Sequence, residues 1–532
     1  MSNFEDRNDP HEGRREFLKT GLGAAGGVLL PSLAFAADAR TALANYPDGV
    51  SGDSVFIGLP LDLTGPYSAE GADEQRGFEL AAEQINNGDA NMRKISPLTK
   101  KGVLGKKIVL GVADAETKPN TAVQAATRFI HQNKAMMISG SVSSAVAIAL
   151  GKVCDREKTL YLAAISGSNE TTGVDCQRYS FRLCHYAYSA AKAISPVLGQ
   201  SLGKNRKAVY LVPDYTYGHT THDSMVEFTD KEGWKEVGQQ VHPLGAKDYS
   251  SYLINIANSG ADTLVVIDYG LDAVNSIKQA KQFGILDKMK LVIPYMAPFL
   301  GEELGAEIMQ GVYGCMGFWW TLQDKYPIAK DFVSAFEAKY KDKPHDSAYI
   351  AYLNTALWAD AVERAGTFYA PEVIKAYEQG VKRQGPVGEV WFRGSDHQGI
   401  VNFPIVRGKK PADMKNKSDF FDVVSVVNGP DVVSPEGLLG CKLGAYTCQC
   451  AAADRGAREC RCQACPWCSR SCSTASPRAC CWPSSARGSR SSTARWASST
   501  SPTARSSWSA PMRAWWCSTP PGPSCWRSPR AP

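Results

Sequence analysis

The sequence predicts an α/β fold of two doubly wound lobes. Three observations carry that expectation. Short apolar runs alternate with stretches of helical periodicity, the alternation breaks off and starts again, and a last group of elements follows in a different order. Strands separated by helices pair in parallel and take helices on both faces of the sheet.

In the first series, residues 54–60 (SVFIGLP) form a short apolar strand. Residues 68–87 carry apolar side chains at helical spacing and stop at Asn87-Gly88. A strand over 107–112, a helix over 121–132, a strand over 135–139, a helix over 143–156 and a strand over 160–164 follow. The second series runs through strand 207–212, helix 217–232, strand 238–242, helix 250–259, strand 263–268, helix 272–283 and strand 290–294. After 311–318 the order changes to helical stretches at 328–340, 347–365 and 371–379. Late strands at 389–392, 399–406 and 420–427 are placed to return and complete the earlier lobes.

Composition separates a body from a tail. The chain has 532 residues and a net charge of +6, but residues 448–532 hold 12 arginines, no lysine and two acids. The tail is therefore +10 and the body −4, so the body offers no basic face for nucleic acid. Cysteine is equally uneven, with five in the body and eleven in the tail. After Thr447 there is no Leu, Ile, Val, Phe or Tyr, so this stretch cannot build an ordinary core and reads as disordered.

The N-terminus reads as an address. Arg14-Arg15-Glu16-Phe17-Leu18-Lys19 precedes an apolar, glycine-rich run, and Ala34-Phe35-Ala36 offers a cleavage site. Residues 1–36 thus read as a twin-arginine signal peptide. The run is shorter than the ~20 apolar residues a bilayer span requires. The expected compartment is the oxidising periplasm. Gly21-Leu22-Gly23-Ala24-Ala25-Gly26 fits a dinucleotide fingerprint only in letters, because it lies inside this signal and follows no strand.

The candidate site comes from the strand ends. In doubly wound sheets, ligands bind beyond the carboxyl ends of the strands, and two facing lobes would close on one by a hinge. Asp62-Leu63-Thr64-Gly65-Pro66-Tyr67 follows the first strand, with Glu70 just beyond. Ser143 and Ser144 open a helix, and Ser166-Gly167-Ser168 follows another strand. Tyr217, Tyr269 and Tyr295-Met296 occupy the corresponding places in the second series. Hydroxyls and free N–H groups at a helix start suit a carboxylate or another polar head, and tyrosines suit an apolar body. Catalytic constellations are weak by comparison. His219 and His222 share a helix face without an evident third metal ligand, and neither a nucleophile elbow nor a P-loop appears in the body. The expectation is a binder without catalytic residues, metal or cofactor.

Residues 54–447 resemble the leucine/isoleucine/valine-binding family of type I periplasmic binding proteins. The resemblance lies in VFIGLPLDLTGPYSAEGADEQRGFELAAEQIN (55–86), ISGSVSSAVA (138–147), Tyr217-Gly218, KDYSSYLINIANSGADTLVV (247–266) and GVYGCMGFWW (311–320). It implies two lobes joined by a three-strand hinge, with crossovers near 181–184, 313–318 and 393–398. The first lobe then comprises 37–183 and 317–395, and the second 184–316 and 396–447. It also implies a monomeric substrate-binding component of an ABC importer that delivers its ligand to permease subunits. A ligand-sensing receptor subunit of the same fold is the alternative.

The ligand positions it implies are Ser143 or Ser144, Ser166 to Ser168, Tyr217, Tyr269, Tyr295 and Met296; Tyr67 and Glu70 join them from the first loop. One departure bears on the ligand. Amino-acid binders of the family place an acid near 295–296, and Pro294-Tyr295-Met296-Ala297 has none. Either Glu70 substitutes, or the ligand is an aromatic or aliphatic acid or an amide rather than a hydrophobic amino acid. The resemblance further implies a disulfide between Cys154 and Cys176, with Cys184 as competing partner. The tail fits an out-of-frame translation: with permitted codon choices, residues 489–517 reread in another frame resemble a permease of the same transporter class.

Overall fold

The computed structural model describes residues 46 and 48–444. The expected signal peptide and the 448–532 tail lie outside the described residues.

The first lobe is built on β1 (Ser54–Leu61), α1 (Ser68–Asn87), a single turn α2 (Met92–Ile95), β2 (Lys107–Asp114), α3 (Pro119–His131), β3 (Met137–Gly140), α4 (Ser144–Arg156), β4 (Leu160–Ala163) and β5 (Ser180–Arg182). The second follows with α5 (Ala187–Leu202), β6 (Lys207–Pro213), α6 (Thr216–Asp230), β7 (Lys235–His242), α7 (Ser250–Ala257), β8 (Thr263–Val266), α8 (Gly270–Gln282), β9 (Lys290–Tyr295), α9 (Leu300–Met309) and β10 (Tyr313–Cys315). Helices α10 (Pro327–Tyr340), α11 (Asp346–Ala365) and α12 (Ala370–Glu378) come next. The chain ends in β11 (Arg383–Gly385), β12 (Gly388–Phe392), β13 (Gly399–Val401), β14 (Phe403–Gly408), β15 (Phe421–Val427) and α13 (Gly429–Val432).

The two large sheets repeat one topology. The first has strand order β2-β1-β3-β4-β5, and the parallel part of the second has β7-β6-β8-β9-β10. In each, the strand order reverses beside the opening strand. The loops after β1 and β3, and after β6 and β8, therefore flank a switch point. β14 and β15 extend the second sheet antiparallel and so return to an earlier lobe as the sequence expects, whereas β12 joins a separate three-stranded sheet with β11 and β13.

Helix α11 is buried along almost its whole length, from Asp346 to Val362, as expected for a helix apolar on nearly every face. It lies against α1 so closely that a Cβ on Gly77 would sit 2.2 Å from the Ala348 carbonyl oxygen. Tyr352 donates to Gln84 at 2.6 Å, and Asn354 reaches the Ala163 carbonyl at the end of β4. These contacts set the start of α11 against the middle of α1.

Besides the short elements α2, β5, β11 and α13, which the sequence pattern does not announce, three elements depart from expectation. The strand expected over 399–406 is two strands in different sheets: β13 pairs with β12 and β14 with β10. The break is at Asn402, whose side chain bonds the Val387 carbonyl and the Gly429 N–H. Helix α5 was not anticipated, because its small residues and internal Pro196 blunt the helical signal. Helix α9 was likewise unassigned, and Gly305 interrupts it with non-helical backbone.

The disulfide also differs. Cys176 bonds Cys441, while Cys154 and Cys184 are free and buried, as is Cys315. Cys154 packs among Ala147, Leu150 and Tyr161 in the first-lobe core. Cys441 arrives on a strap that follows β15. Tyr186 accepts the Ser434 N–H and hydrogen-bonds its hydroxyl, Arg393 donates to the Ser434 carbonyl, and the Lys442 N–H meets the Cys176 sulfur. The 265-residue separation of the pair hid it from a local reading of the sequence.

Candidate functional site

The first-lobe face is organised by Asp62 at the end of β1. Its buried carboxylate accepts the N–H groups of Thr117, Val142 and Ser143 and the hydroxyl of Ser141. Burial still raises its pKa against those bonds. This grip holds Ser141 at φ 75°, a left-handed conformation costly for a residue with a Cβ, and sets the start of α4.

Ser143 is the N-cap residue of α4, yet its side chain makes no cap bond. Its buried hydroxyl has no hydrogen-bond partner. The neighbouring serines are used internally. Ser144 accepts the Ser168 N–H at 3.1 Å, and Ser166 shares a 2.7 Å bond with Thr171. The Ser168 hydroxyl caps the turn at Glu170 and meets Thr216 of α6 at 2.6 Å. Arg182 is fully buried beneath this loop, donating to the carbonyls of Ser166 and Ser168 and to Thr172.

The second lobe presents tyrosines. Tyr217 lies in the first turn of α6, Tyr269 is the N-cap of α8, and Tyr295 ends β9. Tyr295 meets Tyr269 edge-on at 5.5 Å and Tyr217 at 6.0 Å, and Tyr67 lies 6.0 Å from Tyr269. The hydroxyls of Tyr217 and Tyr269 are buried without a partner, whereas the Tyr295 hydroxyl donates to the His185 carbonyl.

The lobes are closed on each other. The hydroxyls of Tyr67 and Tyr215 are 2.6 Å apart, and the Leu271 N–H donates to the Pro66 carbonyl at 2.8 Å. Gly167 lies under the rings, where an added Cβ would come within 2.7 Å of Tyr217 and 3.4 Å of Tyr295. The structure thus brings together Tyr67, Ser168, Gly167, Tyr217, Tyr269 and Tyr295 from opposite sides. Met296 goes elsewhere: its N–H bonds Cys315, and its side chain packs on Gly314 of β10. Two surface hollows of about 320 and 540 Å³, against Trp234 and Trp320, include none of these residues.

Glu70, in the first turn of α1, is buried with both carboxylate oxygens unpartnered. Burial, reinforced by Asp346 and Asp62, pushes it up to about 8. Two further residues at this interface escaped the sequence reading. Asp346 opens α11; one oxygen accepts the Gly317 N–H and the other is unpartnered. Burial, with Asp73 adding repulsion, pushes it up to about 7. An acid in the first turn of a helix is ordinary, so nothing marked it. His185 stacks on Tyr295 at 4.0 Å with both ring nitrogens unpartnered, and burial plus the Arg182 charge depress it to about 3. Only its position, one residue past the expected crossover, could have signalled it.

His219 and His222 turn to different acids, Asp214 for the first and Glu236 and Asp223 for the second. Trp319 and Trp320 donate to the Phe421 and Ser418 carbonyls near the sheet edge rather than facing the tyrosines.

A family model described as periplasmic binding protein matches residues 54–415, well over half of the chain. This chain belongs to the type I periplasmic binding proteins of the branched-chain amino-acid family. The Leu/Ile/Val-binding protein homolog 7 of Brucella abortus (strain 2308) is 26% identical over 336 residues, covering 60% of this chain and 80% of the relative. An amino acid ABC transporter substrate-binding protein from Pseudomonas fluorescens Pf-5 superposes with TM-score 0.64 at 26% identity, covering 73% of this chain and 98% of that one. A solute-binding protein from R. palustris, solved with benzoate, superposes with TM-score 0.62 at 20% identity, covering 73% and 100%. The family is one of ABC-type substrate binding in transport rather than of enzymes, and its members are periplasmic. Among the described residues, no helix of this periplasmic binding protein is long and apolar enough to cross a membrane.

Proposed function

We propose that this periplasmic binding protein traps a small carboxylate-bearing or amide ligand between its lobes and delivers it to the permease of an ABC importer. The observation that carries this reading is a set of buried, unpartnered hydroxyls on both lobes. The Ser143 hydroxyl comes from one lobe, and the Tyr217 and Tyr269 hydroxyls come from the other. A buried hydroxyl without a bond costs about 1–3 kcal/mol. A ligand bonding these groups recovers that cost only when the lobes are closed, which couples capture to closure. In this reading Ser143 and the start of α4 receive the ligand's polar head, and the tyrosines cover its body.

The reading retains export by a twin-arginine signal, and lobes divided as 37–183 with 317–395 and 184–316 with 396–447. It is tested by melting the mature chain with hydrophobic amino acids, aromatic acids, short aliphatic acids and amides. A captured ligand raises the melting temperature in proportion to the logarithm of its excess over Kd. Cells lacking the chain then lose uptake of that compound and regain it on complementation. A compound that binds but whose uptake is unchanged contradicts the delivery step.

A further inference from the structure

The chain passes between the lobes three times: from β5 to α5, from β10 to α10, and from β12 by way of β13 to β14. β12 packs on the first lobe, its Phe392 meeting Phe181 of β5 edge-on at 5.2 Å, and β14 belongs to the second sheet. The first and third passages run side by side. An added Cβ on Gly399 would come within 2.7 Å of the Leu183 Cα, and buried Gln398 accepts two bonds from Arg182 and donates to the Cys184 carbonyl. Single-strand passages set in this way bend easily, and nothing in their backbone alone excludes twist or slide.

A fourth link follows β15. The chain turns through α13, which packs on α5 of the second lobe, and residues 433–444 then run back across the passages to the first lobe. The grip on the passages is polar. The Tyr186 hydroxyl accepts the Ser434 N–H at 2.9 Å and pairs with the Ser434 hydroxyl at 2.7 Å. Arg393, held by Asp396 at 2.9 Å, donates to the Ser434 carbonyl at 2.8 Å. Tyr186 follows the first passage and Arg393 lies in the third. The strap then covers Gly173, where an added Cβ would come 2.7 Å from the Leu439 carbonyl oxygen, and reaches the Cys176–Cys441 bond. An independent observation comes from the other end of the loop that carries Cys176. Residues 167–169 follow β4 of the first lobe yet bond the second. The Gly167 carbonyl accepts the Ala187 N–H at 2.8 Å, and Ser168 meets Thr216 at 2.6 Å. Asn169 accepts the Tyr188 N–H at 2.9 Å and donates to Ser224 at 3.0 Å. One end of this loop therefore rests on α5 and α6, and the strap holds the other.

We propose that the strap and its Cys176–Cys441 bond form a fourth connection between the lobes that fixes the hinge axis. A tie lying beside the passages is close to the axis, so bending barely changes its length and opening is not opposed. Twist or slide would carry Cys441 away from Cys176, and a disulfide cannot span Cα atoms more than about 7 Å apart. The two Cα atoms lie 5.6 Å apart here, which leaves little room for such motion. A fixed axis serves register. The rings of Tyr217 and Tyr295 return to one place over Gly167 at each closure, where the space is too small for a Cβ beneath Tyr217. That consequence for capture rests on the reading above; the connection itself does not, and it is tested without ligand.

The test is the spread of inter-lobe distances in the ligand-free mature chain. Spin labels are attached to p-acetylphenylalanine placed at the exposed positions Lys118 and Lys247, so that no cysteine is labelled. Cys176→Ser combined with Cys441→Ser removes the bond and leaves neither thiol to pair with the tail cysteines. Its distance distribution, by double electron–electron resonance, is expected to be about 1.5-fold wider than the parent's. Equal widths overturn the proposal and leave capture standing. Hydrogen exchange separates a loosened hinge from a loosened fold. Protection in β1, β3, β6 and β8 is expected to stay, and its loss together with the widening would assign the bond to the fold of the lobes and overturn the proposal. Tyr186→Phe carries the same test with the disulfide intact, because it gives up only the strap's hold on the first passage. A smaller widening is expected, and a width equal to the parent's would overturn the proposal.

Discussion

The two faces of the interface are built from opposite materials. The first lobe contributes short polar side chains and carboxyls, locked by bonds to Asp62 and Arg182. The second contributes tyrosine rings that touch one another edge-on and have few bonds to their own lobe. The contrast separates two tasks. A preformed polar face can fix the charged ends of a ligand, while a face of rings excludes water and covers the rest.

The first way to break the comparison is to unpin the polar face. Cys441→Ser removes the disulfide that anchors the C-terminal strap on the first lobe. It is expected to lower stability by about 2–5 kcal/mol, read as a denaturant midpoint. Hydrogen exchange should rise around Cys176 and Ser434 and not in β6 and β8. Uniform loss of protection would mean that the strap supports both lobes equally.

The second acts where the faces meet. Gly167→Val puts branched carbon where a Cβ already comes within 2.7 Å of Tyr217. Overpacking of about 1–3 kcal/mol should fall on the closed state and weaken ligand binding by up to roughly 100-fold. The unliganded melting temperature should change little. Unaltered affinity would mean that the rings are not the covering face.

Smaller changes compare the faces group by group. Ser143→Ala and Tyr269→Phe each delete one unpartnered hydroxyl. Each should cost about 1–1.5 kcal/mol of binding, roughly tenfold, while leaving the empty protein as stable or slightly more so. Loss of stability without loss of affinity would assign those hydroxyls to the fold.

The smallest effect is in pH. Glu70 and Asp346 are raised to about 8 and about 7, above their unfolded values of 4.5 and 3.8. Groups raised in this way stabilise the fold at low pH and cease to do so as pH climbs through the folded value. His345, raised from 6.5 to about 9, works in the same direction over this range. With its lobes closed, the protein should therefore lose stability between pH 6.5 and 9. His185, depressed to about 3, acts only below that window. The melting temperature followed from pH 6.5 to 9 checks it, and a flat profile would contradict it.

The fold was largely legible because its strands are short apolar runs at regular spacing, and β1, α1 and α4 lie within a residue or so of their expected limits. The strand-end rule also singled out Tyr67, Gly167, Ser168, Tyr217, Tyr269 and Tyr295, which lie against one another between the lobes. What it could not supply was which polar atoms remain unspent. Ser144 and Ser166 look as suitable as Ser143 in sequence, yet both are consumed by bonds to neighbouring loops. Asp346 is 276 residues from Glu70, and only the packing of α11 on α1 makes them neighbours. The Cys176–Cys441 bond was hidden for the same reason.

The most direct test of the central claim is a distance between the lobes. Spin labels at the exposed positions Lys118 and Lys247 lie beyond β2 and β7, on the carboxyl-end side of each sheet. Double electron–electron resonance is then recorded with and without a compound that raises the melting temperature. The account predicts a broad distribution without the compound and a single narrow, closed distance with it. An unchanged distribution at saturation would contradict capture by closure.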